Sequence, residues 1–101
     1  MIILNNLDLI HNISAPMVSK EFANLGGDIL ALQISGATGR YCIEGKSANS
    51  DWYPLGGINL SDFTVATGAF TKPGLYEIGV ASVRRIRARV ETTDGEVSIT
   101  A

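Results

Sequence analysis

A chain of 101 residues carrying a net charge of −2 has the length of one domain, enough for a single hydrophobic core and too short for two. Its 46% apolar and 18% charged residues are those of a globular protein that leans apolar, and the acidic balance provides no general field for attracting nucleic acid or an anionic membrane. A single cysteine, Cys42, and a single histidine, His11, exclude an internal disulfide and a Cys/His zinc site.

The start, MIILNNLDLIHNIS, has no basic n-region, since the first lysine is Lys20, and Asn5, Asn6 and Asp8 interrupt any signal-type apolar run. No segment approaches the ~18 consecutive apolar residues of a membrane span. The expectation is a chain made and kept in a cytoplasm, with no signal peptide and no membrane. Ile2, Ile3, Leu4, Leu7, Leu9, Ile10 and Ile13 are too many apolar residues for a free tail, so this segment packs on its own sheet or on a neighbouring subunit. Residues 1–25 read as a first strand or an extended arm, with Val18, Lys20 and Phe22 on one side. Ser14-Ala15-Pro16 keeps a helix start open as the alternative.

DILALQISG, Asp28 to Gly36, alternates with Leu30, Leu32 and Ile34 on one face and is bounded by glycines, the pattern of a strand. RYCIEG, Arg40 to Gly45, places Tyr41 and Ile43 on one face and Cys42 and Glu44 on the other. With only a short link between them, the two predict a hairpin. Pro54 marks an edge or a strand end, short strands are expected near Asp51 to Leu55 and Phe63 to Thr67, and Gly56-Gly57 and Lys72-Pro73-Gly74 read as turns. GLYEIGV, Gly74 to Val80, turns Tyr76, Ile78 and Val80 to the core. In RIRARVETTDGEVSITA, Ile86, Ala88, Val90 and Thr92 point inward against Arg85, Arg87, Arg89 and Glu91. Asp94-Gly95 predicts a tight hairpin turn, because a type I′ turn needs positive φ at both central positions, and Val97 and Ile99 continue the apolar face. The result is all-β: an antiparallel β-sandwich, jelly-roll or Ig-like, of about seven to eight short strands with an extended N-terminal segment.

VRRIRARV, Val83 to Val90, holds four of the eight basic residues, and the strand period leaves Arg85, Arg87 and Arg89 as a row about 6.5 to 7 Å apart. Such a row can track phosphates. It equally makes a solvated or partner-facing strand face, with Glu91, Glu77 and Glu96 as cross-strand neighbours, and the acidic total favours this. Arg84 falls in phase with the core and is expected to reach outward at the rim. Trp52 and Tyr53, with Tyr41, would make a sugar-stacking platform; the competing expectation, and the favoured one, is that Trp52 plugs one end of the core. Cys42 sits mid-strand rather than at a helix N-terminus that would lower its pKa, His11 has no relay partner, and no glycine-rich loop cradles phosphate. The scattered aspartates suit local turns. A non-enzyme without metal or cofactor is expected.

The order GGDILALQISG, then GRYCIEGKSANSDWYPLGGINLSD, then KPGLYEIGVASVRRIRARVETTDGEVSIT resembles the small β-sandwich structural proteins of tailed-bacteriophage virions. The resemblance spans roughly Gly26 to Ala101. It rests on a strand ending in a Ser-Gly turn, the segment IEGKSANSDWYPL with its Trp, a Gly-Leu-Tyr strand, and a final Arg-containing strand joined through a glycine turn to the last one. It implies a head-decoration, head-fibre or tail-associated protein of the virion. Its partners would be other virion proteins of capsid or tail and copies of itself, with nucleic acid disfavoured. Arg85, Arg87 and Arg89 and the apolar Ile2, Ile3, Leu4 and Leu7 are the contact candidates. A carbohydrate-binding module using Tyr41, Trp52 and Tyr53 for host adhesion is the alternative, and a nucleic-acid-binding barrel using the arginine row is a weaker one.

Overall fold

The computed structural model describes residues 8–24, 26–48 and 50–101. Eleven strands and no helix lie among them: β1 (Asp8–Ile13), β2 (Met17–Val18), β3 (Phe22–Ala23), β4 (Ile29–Gly36), β5 (Gly39–Lys46), β6 (Tyr53–Pro54), β7 (Gly57–Asn59), β8 (Val65–Ala66), β9 (Gly74–Gly79), β10 (Arg85–Thr93) and β11 (Val97–Thr100). The excess over seven to eight comes from segments of two or three residues, too short to show a period in sequence. Sheet A runs β1-β11-β4-β9-β7-β8, and sheet B runs β2-β10-β5-β6 with β3 also on the β2 side of β10. All pairings are antiparallel. The expected sandwich is what forms.

Alternation decides which side chains meet between the sheets. Sheet A contributes Leu9, Ile10, Leu30, Leu32, Ile34, Tyr76, Ile78, Val97 and Ile99, and sheet B contributes Tyr41, Ile43, Ile86, Ala88 and Val90, all buried. Phe70 and Tyr76 stack edge to face at 4.8 Å. Tyr76 donates its hydroxyl to the Lys72 carbonyl at 2.7 Å, which satisfies the polar end of a buried ring.

Neither predicted hairpin exists. β4 pairs with β11 and β9 in sheet A, whereas β5 pairs with β10 and β6 in sheet B. The links after β4 and after β10 are two crossings between sheets, lying side by side. Ala37 N–H donates to the Glu96 carbonyl at 3.0 Å, Asp94 N–H to the Thr38 carbonyl at 2.9 Å, and the Thr38 hydroxyl to Asp94 Oδ2 at 2.8 Å. A ribbon made of β4-β5 against β10-β11 therefore bends as a unit from one sheet into the other. Gly36 sits at that bend with φ +106°, and a Cβ there would lie 2.2 Å from the Glu96 carbonyl oxygen. Asp94 and Gly95 are not among the positive-φ residues, so no type I′ turn forms there. A register shift between Val90 and Thr92 turns Thr92 outward, against the inward place the alternation gave it.

The described part of the N-terminal segment is extended, not helical. Leu9 and Ile10 are buried where β1 lies on β11, and the chain then crosses at Ser14–Pro16 to lay β2 and β3 along β10. Val18 is exposed, while Met17 and Phe22 pack on the core. The predicted Val18/Lys20/Phe22 face is thus broken between two short strands. Ile2, Ile3, Leu4 and Leu7 lie outside the described residues.

Candidate interaction surfaces

Strands β5 and β10 form the centre of sheet B, and on them sit five cations, Arg40, Lys46, Arg85, Arg87 and Arg89, with two carboxylates, Glu44 and Glu91. The alternation that buries Tyr41 and Ile43 turns Cys42, Glu44 and Lys46 to the other side, and the ladder sets Arg87 opposite Glu44 and Arg89 opposite Cys42. Arg87 Nε donates to Glu44 Oε1 at 2.8 Å, and Arg89 Nη2 lies 3.3 Å from the same oxygen. The Glu44 side chain is only 10% exposed, so the two guanidiniums screen it from water. Arg89 Nε, shielded from solvent, has no acceptor among the described residues. Farther along, Arg40 Nε donates to Glu91 Oε2 at 2.6 Å.

Trp52 is absent from the core. Its ring lies outside sheet B, with the Arg87 guanidinium 4.2 Å and Lys46 Nζ 5.1 Å from its centroid. The arginine thus touches an aromatic face while its Nε reaches a carboxylate, the two contacts that a planar guanidinium makes together. This corrects the expectation that Trp52 plugs the sandwich; Leu55 and Phe70 are buried in the core instead. Tyr41 is 0% exposed, and its hydroxyl donates to the Ala37 carbonyl inside the corner. Tyr53 is 41% exposed on the edge strand β6. The three aromatics of the proposed sugar platform therefore share no surface.

The arginine row is likewise not a free ladder. Arg87 and Arg89 are engaged with Glu44, a residue whose outward phase was legible in sequence but whose register with β10 was not. The expected neighbours lie elsewhere: Glu91 holds Arg40, Glu77 is on β9 of sheet A, and Glu96 is in the link between β10 and β11. Arg85 is different. It sits opposite Lys46 and Ala23, is exposed and forms no ion pair among the described residues. It borders a depression lined by Lys20, Glu21, Lys46, Ser47, Ala48 and Arg84. Asn24, unnoticed in sequence, fixes this end of β10: its Nδ2 donates to the Val83 carbonyl at 2.8 Å and to the Val80 carbonyl at 3.0 Å.

Cys42, on the same outer surface, is buried beside Glu91, with Sγ 3.4 Å from Oε1. Burial first, and then the hydrogen bond to Glu91, push the thiol up from 9.0 to about 11. A thiol held protonated in this way is a poor nucleophile. The Glu91 carboxyl is held below its usual range, chiefly by the Arg40 guanidinium and then by the Cys42 hydrogen bond.

The outer face of sheet A has another character. Ile29, Ile58, Leu75 and Val65 are exposed across β4, β7, β9 and β8, and within these four strands Glu77 is the one charged residue. It faces Ala31 on one side and Ile58 on the other, and meets no cation within ion-pair distance among the described residues. A shallow groove lined by Ile29, Ile58, Val65 and Glu77 runs along it. At its edge the β7–β8 hairpin presents Phe63, 76% exposed and at φ +59°, an uncommon backbone for a bulky residue. Asp62 holds that tip: Oδ1 accepts from the Thr64 N–H and hydroxyl, and Oδ2 pairs with Lys72. These bonds, with the Lys72 contact first, hold the Asp62 carboxyl well below the usual range.

No protein-family model matches the chain, and no curated protein matches it. Among solved structures it is similar to the crystal structure of the SPBc2 prophage-derived protein YomS, with a TM-score of 0.80 and 18% identity over 95% of this chain and 88% of that one. A likeness at this identity shows the fold: nearly the whole chain, β1 to β11, follows an architecture already seen in a solved protein.

Proposed function

We propose that this protein is a non-enzymatic structural component of a phage particle, working by burial of its surfaces against other virion proteins of the capsid or tail. The observation that carries the reading is the outer face of sheet A, where exposed Ile29, Ile58 and Val65 line one groove, with exposed Leu75 two residues from Glu77 on β9 and Phe63 exposed at the β7–β8 tip. An exposed apolar patch of that kind on a small domain marks an interaction site. The setting comes from the fold shared with a prophage-derived protein and from the resemblance of Gly26 to Ala101 to virion sandwich proteins. Cys42 offers no activated nucleophile, since burial and Glu91 raise its thiol. A sugar platform and a phosphate-tracking arginine row find less support, because Tyr41 is interior and Arg87 and Arg89 are committed to Glu44.

Quantitative mass spectrometry of gradient-purified particles from a lysing culture that expresses the chain tests this. The expected result is co-purification with capsid or tail proteins at a fixed copy ratio. A chain left entirely in the soluble fraction, while intact particles sediment without it, overturns the proposal.

A further inference from the structure

The two unsatisfied surfaces fit each other. We infer that the chain assembles head to tail with copies of itself, the outer face of sheet A on one copy covering the Arg85 end of sheet B on the next, with Glu77 received between Arg85 and Lys46. The inference rests on the assembly reading above and names its partner.

Each half of this contact is incomplete in its own sheet. Glu77 stands among Ala31, Ile58 and Leu75 with no cation among the described residues, and covering a carboxylate with apolar surface is costly unless a cation comes with the cover. Two sheet A faces packed on each other would bring two copies of Glu77 and no cation from β4, β7, β8 or β9. At the other site Arg85 lies directly opposite Lys46 across the ladder, a like-charge pair that weakens a sheet. Lys20 and Arg84 border the same depression, with Glu21 as its single carboxylate. An arriving carboxylate relieves that repulsion. The outer face of sheet B also carries apolar surface, Val18 opposite Arg89 and the Trp52 ring against Arg87 and Lys46, as Ile29, Ile58 and Leu75 do on sheet A. A contact between unlike faces leaves one face open on every copy, so it propagates into a ring or a filament instead of closing as a two-fold dimer.

The test is solution mass of the full chain by sedimentation velocity over a concentration series, with two single variants whose folding is checked by circular dichroism. Wild type is expected to grow beyond a dimer as concentration rises and to shrink at high salt, where the charge pairing is screened. Ile58→Asp spoils the sheet A face and Arg85→Asp spoils the sheet B site, so each alone is expected to be monomeric. Their equimolar mixture is expected to form a one-to-one complex and stop there, because one intact face of each kind remains. Three outcomes overturn the inference: a wild-type chain monomeric up to roughly 1 mM, which excludes all but the weakest contacts; an Arg85→Asp protein that still associates; or a mixture that stays monomeric. A monomeric chain that still co-purifies with particles removes this inference and keeps the virion reading, whereas self-association without incorporation does the reverse.

Discussion

The outer faces of the two sheets are built on the same alternation and reach opposite solutions. Sheet B is highly charged yet largely settles its charges internally: Glu44 takes Arg87 and Arg89, Glu91 takes Arg40, and Trp52 covers the Arg87 guanidinium. Sheet A carries almost no charge along β4, β7, β8 and β9, and leaves its single carboxylate there unpaired beside exposed Ile58 and Leu75. A conspicuous arginine row is therefore a weaker pointer to a partner than a quiet apolar face with one stranded charge. What marks an interface is the requirement left unmet.

The sharpest way to break the contrast is at the corner that separates the two faces. Gly36→Val forces a Cβ against the Glu96 carbonyl at φ +106°, and the expected loss is more than about 3 kcal/mol of unfolding free energy, read from the urea midpoint. A variant within about 0.5 kcal/mol of wild type would show that the corner does not need its glycine. Next comes the pairing that settles sheet B. Glu44→Leu leaves Arg87 half-buried without a carboxylate, and about 2–3 kcal/mol should be lost, less than for a fully buried pair because Arg89 remains 38% exposed. Adding Arg87→Met should recover part of it, since it removes the more buried of the two unpaired guanidiniums and leaves only Arg89, which is 38% exposed; a double variant as unstable as the single would refute the Arg87–Glu44 pairing.

Cys42 offers a smaller effect, read by pH. Its thiol is raised from 9.0 to about 11 in the folded state, so the folded chain holds its proton more tightly than the unfolded one. That contribution is fully present below pH 9 and is lost as pH rises from about 9 to 11, where the unfolded thiol ionises first. Alkylation of the native protein by iodoacetamide at pH 8 should accordingly be slow compared with the same chain in urea, and equal rates would contradict the burial. The smallest effect belongs to sheet A. Val65→Ser, at a 66% exposed position, should change the stability of dilute protein by no more than about 0.5 kcal/mol. A large loss would mean that this face serves the fold rather than a partner.

Sequence alone determined which side of β4 and β9, and of β10 as far as Val90, faces inward. Leu30, Leu32 and Ile34, Tyr76 and Ile78, and Ile86, Ala88 and Val90 could all be assigned to the core because side-chain direction alternates residue by residue and is a local property. The outward phase of Glu44, Arg85, Arg87 and Arg89 was legible for the same reason. The tertiary structure decided which strands lie beside one another, and that choice is not local. Asp94-Gly95 and the short link after Gly36 look like hairpin turns to any local rule, yet β4 pairs with β11 and β5 with β10, because the apolar faces of consecutive strands are buried by facing each other across the sandwich instead of lying in one sheet. From that pairing follow the Glu44 register with Arg87, the place of Trp52 outside the core, and the isolation of Glu77 on the opposite face.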